Sequence, residues 1–181
     1  MFDVAHYEVR QRFSIGNKYT IYEGDDDAPI LESAQKKFRL KEDFRFTDPD
    51  GGVERFRVKA SSVLDVAAAY DVEDSQTGER IGAVKRSAWS FFKHEYALLA
   101  PDGDVVGYLR EDNKLMAMLR RFVTTLIPFS YDIVAPDGTK VGDVGEQFSF
   151  RDKYSIDLHD DSIDPRLAVI GTVVVDAIEE N

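Results

Sequence analysis

Apolar and polar positions alternate with a period of two along much of this chain, and short turn sequences interrupt the alternation. One unit recurs: an aromatic-led strand, a turn around Asp-Gly or its equivalent, then a second strand containing Val/Ile-Gly-x-Val/Leu. Its three clear copies are Tyr70-Asp71-Val72-Glu73-Asp74 with Thr77-Gly78 and Ile81-Gly82-Ala83-Val84, Tyr96 to Pro101-Asp102-Gly103 with Val106-Gly107-Tyr108-Leu109, and Tyr131 to Pro136-Asp137-Gly138 with Val141-Gly142-Asp143-Val144. A degenerate fourth runs from Tyr19-Thr20-Ile21-Tyr22 through Asp25-Asp26-Asp27 to Ile30-Leu31. Each copy reads as a β-hairpin: Pro fixes φ ahead of the turn, and Asp and Gly accept the left-handed conformations that a tight reversal needs. The Gly after Val or Ile marks a bulge or a close backbone approach. Phe38/Leu40, Phe44/Phe46 and Phe56/Val58 alternate with charged neighbours and supply further strands. The leading tyrosines stand 51, 26 and 35 residues apart, too irregular for a solenoid, so the pattern predicts a closed or nearly closed antiparallel sheet.

Two stretches depart from this period. Leu115, Leu119, Phe122 and Leu126 recur at helical spacing over residues 112–127, with Lys114, Arg120 and Arg121 on the other face and Pro128 ending the run. Asp164-Pro165 then offers an N-cap and a first-turn proline before the apolar run Leu167 to Ile178. The β-branched content of that run suits a strand as well; its length and its capping signal favour a helix. Apolar on nearly every face, such a helix must be surrounded, yet its 12 residues fall short of the roughly 20 that cross a bilayer. A barrel of hairpins closed around the C-terminal helix satisfies both requirements.

The 181 residues, 43% of them hydrophobic, suit one domain over 1–181, and no Pro-rich or low-complexity stretch divides them. With 34 Asp and Glu against 23 Lys and Arg the net charge is -11, which repels phosphate backbones and argues against nucleic acid as a partner. Asp outnumbers Glu, 22 to 12, and Arg outnumbers Lys, 13 to 10, a balance that suits solvation in a salt-rich cytoplasm and also an ordinary acidic protein. The charge is uneven: residues 80–122 are +3, whereas residues 130–181 are -8. An anionic ligand is therefore expected in the middle of the chain. The absence of Cys excludes disulfides, thiolate metal sites and cysteine nucleophiles. The N-terminal residues show no secretory signal, so the expected location is cytoplasmic, with peripheral contact at the membrane.

The hairpin repeat, followed by Phe148, Tyr154-Ser155-Ile156, Asp164 and the ending Val169-Ile170-Gly171-Thr172 with Asp176 and Glu180, resembles the LURP-one-related proteins of the tubby C-terminal-like superfamily, to which phospholipid scramblases are related. The resemblance covers the chain from Tyr7 onward and is carried by the joint order of elements. It implies a twelve-stranded barrel around a central hydrophobic helix, no established enzymatic activity, and lipid or membrane ligands in some branches. The chain departs from the scramblase pattern in lacking Cys and a Pro-rich N-terminal extension, and in keeping only Asp152 of the alternating acids in the calcium segment.

Chemical motifs are sparse: no nucleophile elbow, phosphate-cradling loop or dinucleotide fingerprint occurs. His6, His94 and His159 are dispersed and suit ordinary surface or core roles. The acidic run Asp157 to Asp164 lacks the Gly and closing Glu of an EF-hand and reads as a solvated loop ending in a helix cap. No metal or other cofactor is implied. The basic middle carries the candidate site for a lipid head group or anion: Lys85, Arg86, Trp89, Lys93, Arg120 and Arg121, with Arg80, Phe91 and Phe92 nearby. The same aromatics read also as core, with the cations as a solvated edge. The expected function is a non-enzymatic binding module for phospholipid head groups or a membrane surface. The alternative is a scaffold that binds a protein partner through the amphipathic helix 112–127.

Overall fold

Twelve antiparallel strands form the wall of a closed barrel in the computed structural model, which describes residues 1–14, 16–34, 44–61, 69–86, 95–111, 130–147 and 153–179. In chain order they are β1 (His6–Ser14), β2 (Gly16–Glu23), β3 (Pro29–Ala34), β4 (Phe44–Thr47), β5 (Glu54–Ala60), β6 (Ala69–Asp74), β7 (Arg80–Arg86), β8 (Glu95–Leu99), β9 (Val105–Glu111), β10 (Ser130–Val134), β11 (Lys140–Gln147) and β12 (Lys153–Leu158). Each strand pairs with its sequence neighbours, and β1 pairs with β12 to close the ring, with His6 opposite Asp157 and Arg10 opposite Lys153. This up-and-down order sends alternate connections to opposite ends. The turns β2–β3, β4–β5, β6–β7, β8–β9 and β10–β11 lie at one end, the turn end, together with residues 1–5 and 159–164. The helix predicted over residues 112–127 and the strand around Phe38 and Leu40 lie outside the described residues.

The repeat is carried further than its sequence copies show. Gly24, Gly51, Gly78, Gly103 and Gly138, one per turn, all have positive φ. One residue of each second strand is bulged next to the turn: Leu98 faces Gly107 while Leu99 faces Val105, and the same slip recurs in the other four hairpins. Two residues before the slip, every first strand carries an inward aromatic, giving Tyr19, Phe44, Tyr70, Tyr96 and Tyr131. Tyr154 of β12 stands in the same relation to Ile156, so β12 and β1 act as a sixth hairpin that holds the chain ends.

The helix α1 (Pro165–Glu179) runs through the barrel from the turn end. Asp164 caps it, its Oδ1 accepting the Arg166 N–H at 2.9 Å and its carbonyl accepting the Ala168 N–H at 3.0 Å. Leu167 to Ala177 are all buried, and the Thr172 hydroxyl donates to the Ala168 carbonyl at 2.8 Å, so its polarity is satisfied within the helix. The 15 residues span about 22 Å at about 1.5 Å each, comparable to the wall strands.

The helix lies against one side. At the position facing the slip, β7, β9 and β11 carry Gly82, Gly107 and Gly142. A Cβ on Gly82 would stand 2.3 Å from the Leu99 carbonyl oxygen and 2.9 Å from Leu167; one on Gly107 would stand 2.5 Å from Ile163. Within the helix, Gly171 fits between Val84 and Leu98, at 3.0 and 3.2 Å from its would-be Cβ. The equivalent positions on the far wall are Leu31, Phe56 and Tyr7, whose bulk fills the space the helix leaves. Phe2 seals that side at the turn end, its ring 5.7 Å from both Tyr7 and Phe56 and its N–H donated to Glu23. Its φ of 66° is strained for a bulky residue, by about 1–2 kcal/mol, and burial of the ring offsets this.

Replacing Gly82 by Ala is expected to cost about 1–3 kcal/mol or more, because the clash is with backbone, and Gly171→Leu should overpack the helix groove by a similar amount. Gly145→Ala, where nothing lies within 4 Å of the added Cβ, should leave the urea midpoint unchanged. Removing residues 165–181 should abolish cooperative urea unfolding of the remaining chain, which would enclose an unfilled core.

Candidate functional site

At the end opposite the turns, the inward side of the wall changes from aliphatic to polar. Along β6 to β10 the inward-alternating series ends here at the buried Tyr70, Tyr96 and Tyr131, the half-buried Glu111 and the exposed Arg86, each two residues beyond an apolar position on the same face. The last turn of α1 arrives here with Asp176 and Glu179. The Tyr96 hydroxyl donates to Glu179 Oε1. Burial pushes the Tyr131 hydroxyl strongly up, and the carboxylates of Glu179, Glu111 and Asp176 push it further. Tyr96 is raised first by burial and then by its bond to Glu179, with Arg86 opposing; Tyr70 is raised by burial alone. Two acids at the carbonyl end of a helix are unfavourably placed against its dipole, and the last turn has no basic residue of its own. Arg86, exposed at the end of β7, is the cation whose charge acts on Tyr96 here.

Of the candidate anion-binding residues, Lys85 and Arg86 are the last two of β7, at this same end. Being consecutive in a strand they project to opposite sides, Arg86 along the inner series and Lys85 along the outer. Trp89, Lys93, Arg120 and Arg121 lie outside the described residues, as do Phe91, Phe92 and His94. Arg80, grouped with them by sequence proximity, sits at the turn end instead. β7 carries it a full strand length away, and it is bound to Asp71 at 2.8 Å and to the Ala100 carbonyl at 3.3 Å.

The outer wall is laced with ion pairs: Arg10 and Lys153 on Glu8, Lys18 on Glu32, Arg57 and Arg45 on Glu54, Lys59 on Glu73, Arg110 on Glu95, and Lys140 on Asp132 and Asp143. Burial opposes ionisation of Glu8, but hydrogen bonds from Lys153 and Arg10 outweigh it and hold the carboxyl below its usual range. Among the described residues, Lys85 has no ion-pair partner. His6 binds Asp157 at 2.6 Å and His159 binds Asp143 at 2.9 Å, on the outer surface near the turn end. In the acidic run, Asp160 accepts the Ser162 N–H at 3.0 Å and Asp164 caps the helix. Among the described residues no three His, Asp or Glu side chains converge as metal ligands.

Comparisons with protein-family models, with curated proteins and with solved structures return no match. The site is therefore argued from its own residues. No described helix is long and apolar enough to cross a membrane. The charged outer faces of the strands also exclude burial of the wall in lipid, where each Lys or Arg near the midplane costs about 2–4 kcal/mol.

The leading tyrosines read from sequence as strand markers, yet Tyr96 bonds Glu179 and Tyr131 lies within the field of Glu179 and Asp176. The shared spacing of Tyr70-x-Val72, Tyr96-x-Leu98 and Tyr131-x-Ile133 from the turns is the signal that puts them on one level.

Because Tyr7, at about 12, and Tyr70, Tyr96 and Tyr131 ionise less readily folded than unfolded, their contribution is fully present below about pH 10, the unfolded value, and is lost as pH rises above it. Urea midpoints should accordingly fall between pH 9 and 12. Tyr96→Phe should flatten that fall while costing about 1 kcal/mol at pH 7 through loss of the bond to Glu179.

Proposed function

We propose that this chain is a non-enzymatic binding module that recognises anionic phospholipid head groups at the end of the barrel opposite the turns. The observation that carries the reading is Lys85. Among the described residues it has no carboxylate partner, whereas eleven other Lys and Arg side chains lie within 4 Å of one. A cation left uncommitted on a wall of ion pairs is available to a phosphate. β7 ends there and β8 begins there, and the sequence joining them holds Trp89 and Lys93. The sequence joining β9 to β10, whose ends are also at that level, holds Arg120 and Arg121. Head-group binding by such a set needs cations close to the phosphate plane and an aromatic at the interface.

The barrel around a central helix is the architecture that the resemblance to the LURP-one-related and tubby-like proteins implies, and membership of that superfamily is part of this proposal. So is residence in the cytoplasm with peripheral attachment to the membrane.

Co-sedimentation with anionic vesicles tests the reading. Each Lys or Arg near an anionic surface contributes about 1 kcal/mol, so Arg120→Ala/Arg121→Ala should weaken binding roughly thirtyfold and Lys85→Ala roughly fivefold, with neutral vesicles bound by none of the proteins. Absence of binding to anionic vesicles at every potassium chloride concentration would remove lipid from consideration and direct the search to protein partners of residues 112–127.

A further inference from the structure

The N-terminal segment enters the barrel at the turn end through a single side chain. Met1, Asp3, Val4 and Ala5 are exposed, whereas Phe2 is buried, its ring 5.7 Å from the rings of both Tyr7 and Phe56. Among the described non-glycine residues only Phe2 has a positive φ, 66°, so the backbone is held in a conformation that a bulky residue disfavours in order to turn this ring inward. Its N–H is donated to the carboxylate of Glu23, a half-buried group with no Lys or Arg partner among the described residues. The Met1 ammonium, though within the field of Glu23, is bound to Asp3 at 2.8 Å, inside the segment itself. Beneath the segment the Tyr7 hydroxyl is fully buried against the Val4 backbone, in the field of Glu23, Asp3 and Asp164, and makes no hydrogen bond of normal geometry. A slot for an aromatic ring, a carboxylate without a cation and a buried hydroxyl thus meet under residues 1–4. The next tie of that segment to the barrel is the Ala5 carbonyl, which accepts the Leu158 N–H at 2.7 Å.

We propose that the space filled by Phe2 is a binding site for small aralkylamines, and that residues 1–4 hold it closed as a tethered stand-in for the ligand. This inference is independent of the lipid reading and concerns the opposite end of the barrel. From its nitrogen to its ring, N–Cα–Cβ–phenyl, Phe2 has the skeleton of phenethylamine, so the contacts it makes define the ligand. The ring of a free amine replaces that of Phe2 beside Tyr7 and edge-on to Phe56, an arrangement that suits two aromatic quadrupoles. The ammonium replaces the amide N–H at Glu23. A donor and acceptor that are both charged attract more strongly than an amide and a carboxylate, and three N–H groups in place of one leave a donor for the Tyr7 hydroxyl oxygen. Lifting the segment also releases the strained φ of Phe2. Against these gains stands the tether, which keeps Phe2 at a high effective concentration beside its slot. An open state populated at about 1–10% weakens the apparent affinity of a free ligand by the same factor. Anionic aryl compounds are rejected, because Glu23 and Asp164 share one field at the Tyr7 hydroxyl.

Titration of phenethylamine into the full chain, followed by the backbone amide resonances of Glu23 and Gly24, tests the proposal. Phe2→Ala removes the stand-in and should bind the amine about 10–100-fold more tightly than the wild type does. Glu23→Gln in that background should abolish the preference for the amine over its neutral counterpart, phenethyl alcohol. The chain has no Cys, so a nitroxide can be placed on Val4→Cys with Phe2 intact, at an exposed position. That label should gain mobility as the amine saturates the site and residues 1–4 lift away. This arm decides the matter where Phe2→Ala fails to unfold cooperatively in urea. Absence of binding to a cooperatively folded Phe2→Ala, or equal affinity of that variant for phenethyl alcohol, would overturn the proposal. So would a Val4 label left unmoved by the amine at about 0.1 M, where even a millimolar site is filled.

Discussion

A closed sheet of twelve strands encloses more space than its own inward side chains can fill, and everything else in this structure follows from how that space is occupied. An α-helix is the one segment that can enter such an interior, because it satisfies its backbone hydrogen bonds internally and presents apolar side chains all round. Accepting it requires room on the wall. Gly82 and Gly107 give that room, under Leu167 and Ile163, and Gly171 gives it from the helix side between Val84 and Leu98. The opposite wall does the reverse, filling with Tyr7, Leu31, Phe56 and the edge-on pair Phe44 and Phe46, whose rings are 4.9 Å apart. The off-centre helix and the asymmetric choice of glycine or aromatic are two descriptions of one packing solution.

That solution also fixes where polar chemistry can occur. The helix enters capped by Asp164 at the turn end and delivers Asp176 and Glu179 to the other end. There the negative end of its dipole carries Glu179, bonded to Tyr96, and Asp176, whose charge acts with that of Glu179 on Tyr131. The turn end is closed by hydrogen-bonded Asp-Gly reversals and by Phe2. One end is thus sealed, and the other gathers the strand ends together with the last turn of the helix. That all five turns share one end follows from an antiparallel meander, in which every second connection returns to the same side.

Much of the fold was legible in the sequence because its local signals agree with one another. Asp-Gly turns, period-two alternation and the Asp164-Pro165 cap each have a local physical cause, and the corresponding strands and helix form where those signals stand. The glycines of the second strands were readable as points of close approach, but the sequence does not say that Leu167 and Ile163 are what approaches them. That depends on side chains about sixty to eighty-five residues away meeting across the barrel. The site was less legible for the same reason. Arg80 stands close to Lys85 and Arg86 in sequence yet belongs to the opposite end, since a strand of seven residues separates its ends by about 20 Å. Tyr96 and Tyr131 read as strand residues alone, and only the common register of their hairpins brings them to the level of the helix acids.

Native-state hydrogen exchange tests most directly whether the helix is the core on which the barrel closes. If it is, amides from Val169 to Asp176 can open only when the barrel does, and their opening free energies should equal those of the best-protected amides in β7 and β8 and the global value from urea unfolding. Helix amides that exchange through a lower-energy opening, while β7 and β8 keep full protection, would mean that the barrel stands without its filling and would contradict the account.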